Sequence, residues 1–251
     1  SARSPERLPG RLRVTTQRTV FRFPPLTPFV KKLLIALFGT WIAQILLQNW
    51  LNVPMFEIFA LDTAHPGVQT LWQLGTHVFA FPTGPQAVFS MLIVLLFLWL
   101  MLAPFEQRFG QKRTIHLCIV STLSAAFLAL LAGALAPAAS RLYGAQAILL
   151  GSIAAFAWSY RGQGRMSFFG VIDMKPVHII YLVLALSVLM FITSGDAVAL
   201  AADLGAIGGG VAFIEWLRRP PKRRRRPKRR KKKSSFDVVQ GGRADEPRWL
   251  N

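Results

Sequence analysis

Residues 143–160 read YGAQAILLGSIAAFAWSY. Most of this stretch is apolar enough to lie inside a membrane. Its first turn is small and polar, and it places a primary amide, Gln146, one step into the run. An unbroken series of about 20 apolar residues would be the undemanding way across a bilayer. Whether this is a span, and what the amide does there, depends on the sequence to either side.

That sequence combines 53% hydrophobic residues with a formal net charge of +19, a pairing few soluble domains show. The charge is unevenly spread: of 30 Lys and Arg, eight lie in residues 1–32 and fifteen in 218–251. A charge-poor middle between basic ends is the profile of a polytopic membrane protein. Five further apolar runs follow from it: LLIALFGTWIAQILLQNWL (33–51), QAVFSMLIVLLFLWLMLA (86–103), TIHLCIVSTLSAAFLALLAGAL (114–135), VHIIYLVLALSVLMFIT (177–193) and DAVALAADLGAIGGGVAFIEW (196–216). With 143–160 as the fourth, they predict an all-α fold, a bundle of six transmembrane helices. The chain then divides into a basic N-terminal segment (1–32), a membrane domain (33–216) and a tail (217–251). Residues 1–32 hold Pro9, Gly10, Pro24, Pro25 and Pro28 and no apolar core of a signal peptide, so the first run reads as a retained helix. A single cysteine, Cys118, excludes an intrachain disulfide and a Cys-based zinc site. The four His and the central Asp203 show no ligand spacing, so neither a metal nor a cofactor is expected.

Basic residues orient the spans. Segments 52–85 and 194–195 contain no Lys or Arg, and 136–142 contains only Arg141. The alternate connections carry Arg108, Lys112 and Arg113, then Arg161, Arg165 and Lys175. Six spans with both termini cytoplasmic satisfy every segment, and the reading takes the membrane to be a bacterial inner membrane. The 52–85 loop is long and carries Phe56, Phe59, Trp72, Phe79 and Phe81. A loop this apolar is expected to dip into the interface.

Five pieces in order carry a resemblance: LWQLGTHVFAF (71–81), QAVFSM (86–91), FEQRFGQKR (105–113), YGAQA (143–147) and ADLGAIGGG (202–210). Their order resembles that of the rhomboid family of intramembrane serine proteases over about 33–216. That family has a Trp-Arg pair in a long first loop, polar residues opening the second span and a Glu-x-x-x-Gly turn. Gly-x-Ser-Gly opens its fourth span, and its sixth carries a histidine followed by glycines. The resemblance implies that Trp72, Glu106, Gly110, Gly144, Gly205 and Gly210 persist. It also implies that the nucleophile position is Gln146, the base position Asp203, and the oxyanion-holding pair Gln86 and Ser90. Gln73 stands for the Arg of the pair and Ala147 for the glycine after the serine.

The chemistry of these residues agrees without reference to a family. Serine hydrolysis needs a hydroxyl or thiol beside a base, and an amide is neither nucleophile nor base. Ser90, Ser121, Ser124 and Ser152 lie in or near spans, but His116 and His178 fall at the cytoplasmic ends and His77 in the external loop. Asp203 is the one carboxylate well inside a span, and at depth it costs at least about 2.5–3.5 kcal/mol unless paired, protonated or wetted. If spans four and six pack as the resemblance implies, Gln146, with two donors and an acceptor, faces Asp203 as its hydrogen-bond partner, with Gln86 completing a polar trio. The alternative has Gln146 capping its helix and Asp203 facing a wet hollow. Small residues at helical spacing, Gly144, Ala147, Gly151 and Ala154 on the fourth span and Gly205, Gly208, Gly209 and Gly210 on the sixth, are expected to let these two helices approach closely.

Residues 218–233, RRPPKRRRRPKRRKKK, are Lys or Arg at thirteen of sixteen positions, too charged to fold. Arg223, Arg224, Arg225, Arg226, Lys231, Lys232 and Lys233 read as contacts to anionic lipid or to a protein partner. Without interleaved aromatics they offer nucleic acid only phosphate attraction. The end, SSFDVVQGGRADEPRWLN, has the look of a short linear motif for a partner. The sequence as a whole reads as a rhomboid-like membrane pseudoprotease that binds or guides membrane-embedded clients. The alternatives are a structural subunit of a membrane complex and an active serine protease with an unorthodox site.

Overall fold

Proline and glycine, more than the edges of the apolar runs, set the helix ends. The computed structural model describes residues 24–135, 141–162, 166–168 and 172–219. The first long helix, α1 (Pro28–Leu51), begins at a proline and closes on Asn52, left-handed at φ 50°, whose N–H reaches the Leu47 carbonyl. The connection after α1 then folds into α2 (Met55–Phe59), a two-residue strand β1 (Leu61–Asp62), α3 (Thr70–Thr76) and a 3₁₀ turn at His77–Phe79. Two 25-residue helices follow, α4 (Pro85–Phe109) and α5 (Gln111–Leu135). Between them stands Gly110 alone, at φ 84° and ψ 160°, a region open essentially only to glycine. Strand β2 (Arg141–Leu142) pairs antiparallel with β1, Leu61 opposite Leu142. Helix α6 (Gln146–Ser159) comes next, then a hairpin of β3 (Met166–Phe168) and β4 (Ile172–Met174). Helices α7 (Pro176–Ser194) and α8 (Ala197–Arg218) complete the described fold. Gly195 (φ 69°) closes α7, and the Asp196 carboxylate caps α8 by accepting from Val198 and Ala199 N–H at 3.0 Å each.

The chain is thus all-α apart from two minimal ladders. Helices α1, α4, α5, α7 and α8 are each long and apolar enough to cross a membrane, and the protein is an integral membrane protein. The fourth expected span, 143–160, is corrected. Its helix is only the 14 residues of α6, about 21 Å at 1.5 Å per residue, against a hydrocarbon core of about 30 Å. Gly144 takes φ 83°, so the chain cannot be helical there. A short helix with irregular backbone before it is tolerated at membrane depth only inside protein or beside a water-filled cavity. Helix α6 meets that condition, because it packs against α4, α5, α7 and α8.

The bundle has its core around α6. Ala147, Leu150, Ala154 and Ala157 join Ala125, Ala129, Ile180, Ala202 and Ala206 in one apolar cluster. Ile148 and Ala145 join Met91, Leu98, Leu102 and Leu37 in another. Large side chains elsewhere on α1, α4 and α7 face outward, among them Phe38, Leu46, Phe89, Leu182, Leu189 and Ile192. Polar groups tie the frame where helix ends would leave donors unmet. The buried Glu106 carboxylate of α4 accepts from the Val30 N–H at 3.1 Å, the Phe29 N–H at 3.2 Å and the Thr27 hydroxyl, capping α1 from a neighbouring helix. Gln44, fully buried in α1, donates to the Phe79 carbonyl at 2.8 Å and accepts from the Phe81 N–H at 3.1 Å. It pins the α1–α4 loop to the bundle. Gln73 organises the loop internally by bonding Glu57, Ile58 and Asp62 backbone groups at 3.3–3.4 Å.

The glycine packing differs from the expectation in its partners. A methyl on Gly205 would meet the Ser124 carbonyl at 2.5 Å, and one on Gly209 the Ser124 side chain and the Val120 carbonyl. Both face α5, not α6. The close approach of α6 and α8 is made by Gly151 and Gly210 instead, because a methyl on Gly210 would collide with Gly151 backbone. Gly144 belongs to the turn before α6 and packs no helix. Ser1–Arg218 form one compact unit; of the second, Arg219–Asn251, only Arg219 is described, so Arg223, Arg224, Arg225, Arg226, Lys231, Lys232 and Lys233 lie outside the described residues.

Candidate functional site

Gln146 opens α6, and Asp203 lies in the second turn of α8. Gln146 Nε2 donates to Asp203 Oδ1 at 3.1 Å. The α6–α8 contact that sets this distance is the glycine approach one to two turns deeper, since any side chain at Gly210 would push the helices apart. The Ser187 hydroxyl of α7 faces the same carboxylate. Three helices therefore converge on one carboxylate, which is half-buried.

The pair lines a cavity of about 150 Å³, with Tyr143, Ala147, Ala199 and Asp196 as further wall. Arg141, at its rim, pairs with Glu57 of α2 at 3.2 Å, and the Tyr143 ring stands edge-on to Phe56 at 5.2 Å. The α1–α4 loop thus forms one side of the mouth. Its attachment just ahead of α6 is the β1–β2 ladder together with the Gly144 N–H, which donates to the His77 carbonyl at 2.9 Å. The His77 ring is itself fully buried. Its Nδ1 lies 3.1 Å from the Gln73 carbonyl and so carries the proton. Burial holds its pKa below the ordinary imidazole value.

The other two sequence-derived positions are not brought here. Gln86 and Ser90 are exposed on the first turns of α4, and neither lines the cavity. The polar trio with Gln86 is therefore corrected to one with Ser187. The inward face of α4 is apolar instead, with Met91, Leu98 and Leu102 fully buried, so α4 offers no donor for an oxyanion. The remaining serines weighed as nucleophiles are spoken for or isolated. Ser152 donates to the Leu149 carbonyl at 2.7 Å and Ser124 to the Ser121 carbonyl at 3.1 Å. Ser121 is buried without a hydrogen-bond partner. Among the described residues no histidine is hydrogen-bonded to a serine. Ser187 was invisible to sequence reasoning, as a serine in the middle of a 19-residue apolar helix; only the depth of Asp203 on the facing helix would have pointed to it.

As chemistry, the site is an amide hydrogen-bonded to a carboxylate, with a hydroxyl facing that carboxylate, beside a small cavity. Nothing in it both attacks a carbonyl and has a base aligned behind it in the manner of a Ser-His pair. A comparison with protein-family models matches residues 68–220 to the Rhomboid domain. No curated protein matches the chain.

Proposed function

The chain belongs to the rhomboid family, the matched residues being more than half of it, and from that premise we propose that it is a non-catalytic member which binds or guides the transmembrane segments of partner proteins. The observation that carries the reading is the Gln146–Asp203 bond. By the resemblance, those two positions are where a protease of this family holds its nucleophile and base. Here they satisfy each other. Such a bond is typically worth about 0.6–2 kcal/mol inside a membrane protein, which stabilises the fold and supplies no reagent. The cavity and the loop at its mouth remain as a place where a client helix can lodge a polar side chain. On this reading both termini are cytoplasmic, the membrane is a bacterial inner membrane, and the polybasic tail holds anionic lipid. Reporter fusions at each terminus test the first of these.

A photo-crosslinking residue placed at Tyr143, on the cavity wall, tests the binding role in native membranes. A binder yields adducts to the membrane segments of several proteins, and these fall when the cavity is filled by Ala199→Phe. A single adduct of fixed stoichiometry would instead make the chain a structural subunit of a larger complex. One observation favours a further reading: the Ser187 hydroxyl faces Asp203, and an unorthodox serine hydrolase would need a serine beside a carboxylate. Against it, Ser187 is 5% exposed and does not line the cavity, so a substrate carbonyl has no path to it. Labelling of Ser187 by a fluorophosphonate distinguishes this reading from the first.

A further inference from the structure

At the basic end of the bundle, opposite the cavity, two helix ridges meet. Along α5 the i, i+4 series is Lys112, His116, Val120; along α8 it is Ala212, Trp216. The helices run antiparallel, since Gly205 abuts Ser124 and Ala125 while Gly209 abuts Ser124 and Val120. The start of α5 and the end of α8 therefore lie together. Between them is a groove of about 390 Å³ lined by His116, Val120, Ala212, Phe213 and Trp216. Its walls are almost wholly apolar.

The cations around this end are not equivalent. Arg161 pairs with Glu215 and stacks over the Trp158 ring at 4.4 Å. Arg218 donates to the Trp158 and Ser159 carbonyls at 3.1 and 2.8 Å, and Arg108 lies over the Tyr160 ring at 4.3 Å. Lys112 and Arg113, at the head of the groove, are exposed, and among the described residues neither has an acid partner. Trp216 is 63% exposed beside them, the amphipathic ring that membrane proteins place at the headgroup level.

We infer that this groove is a binding site for one anionic phospholipid: its phosphate between Lys112 and Arg113, one acyl chain along Val120, Ala212 and Phe213, and the glycerol region against Trp216. A protein helix would bury the groove but leave both cations unmet in a low-dielectric contact. A zwitterionic lipid would fill the groove but carry its own cation to the same place. An anionic lipid satisfies both parts, as basic pockets between transmembrane helices do elsewhere. The groove shares no lining residue with the cavity at the other end.

The test is quenching of Trp216 in the full-length protein, reconstituted in phosphatidylcholine vesicles containing brominated phosphatidylglycerol or brominated phosphatidylcholine. The Trp216→Phe variant defines the part of the signal that belongs to this ring. The site requires that part to respond preferentially to phosphatidylglycerol. Lys112→Gln with Arg113→Gln, both at exposed positions, lowers the preference roughly ten- to thirty-fold, two cations' worth at a lipid surface. Ala212→Leu fills the groove and lowers quenching by both lipids. Equal quenching by the two lipids in the unaltered protein would overturn the inference. So would a phosphatidylglycerol preference unchanged in the Lys112→Gln, Arg113→Gln variant, since it would assign the attraction to other cations.

Discussion

A carboxylate at membrane depth has to be paired, wetted or protonated, and Asp203 is paired by Gln146 at 3.1 Å, with the Ser187 hydroxyl facing it. Removing the amide as Gln146→Ala takes that bond away, and unfolding in mixed micelles should show a loss of about 0.6–2 kcal/mol. Asp203→Asn keeps a hydrogen-bonding group in place and should cost less than Asp203→Leu, measured in the same way. The buried His77 makes a prediction of the opposite kind, about protons. Desolvation lowers its folded-state pKa below the ordinary 6.5, so the unfolded chain takes up a proton first as pH falls. Its contribution is fully present above about pH 6.5 and is lost as the pH drops toward the folded value. Stability should therefore decline on mild acidification in the unaltered protein, and His77→Asn should flatten that decline in thermal unfolding followed across pH. The Gln146–Asp203 pair was legible in the sequence because the rhomboid resemblance sets spans four and six side by side and an isolated acid in an apolar run demands a partner. Gln44 and Ser187 were not, because their partners, loop backbone and a facing helix, are set by tertiary contact. Gln86 and Ser90 were placed in the wrong surroundings: alignment by order says nothing of which face of α4 turns inward, and that face belongs to Met91 and Leu98.

Among the elements, the five long helices were legible as apolar runs, with ends displaced by the prolines and glycines that stop a helix irrespective of hydropathy. The start of α6 was not legible, since the positive φ of Gly144 arises from its seat between the Phe81 ring and the His77 carbonyl. Partnering of glycine faces was likewise hidden. Small residues announce a close approach but not which helix approaches. Two neighbours on α8 separate packing from propensity. A methyl at Gly205 meets Ser124 and Ala125 backbone at 2.5–2.9 Å, whereas at Gly208 it meets nothing within 4 Å. Gly205→Ala should destabilise by about 1–3 kcal/mol through overpacking. Gly208→Ala should be neutral or stabilise by up to about 1 kcal/mol through helix propensity. Thermal unfolding of the two variants in one detergent checks the sign of each.

At the scale of the molecule, a short central helix ringed by longer ones creates depth without lipid contact, and that is what lets polar residues meet inside a membrane at all. The same architecture can support hydrolysis or merely hold a hollow open; the side chains at the α6–α8 contact decide between them. The basic end, with Glu106 capping α1 and Glu215 gathering Arg161 and Trp158, fixes the helices relative to one another. The opposite end carries the cavity and its loop. The central claim, that Gln146 and Asp203 leave the cavity with no reagent, is met most directly by treating the purified full-length protein in detergent with a fluorophosphonate probe and mapping adducts by mass spectrometry, with a membrane-embedded peptide substrate present in a parallel reaction. The account predicts no modified serine and an intact substrate. A specific adduct on Ser187, or on any other serine, accompanied by cleavage of the substrate would contradict it.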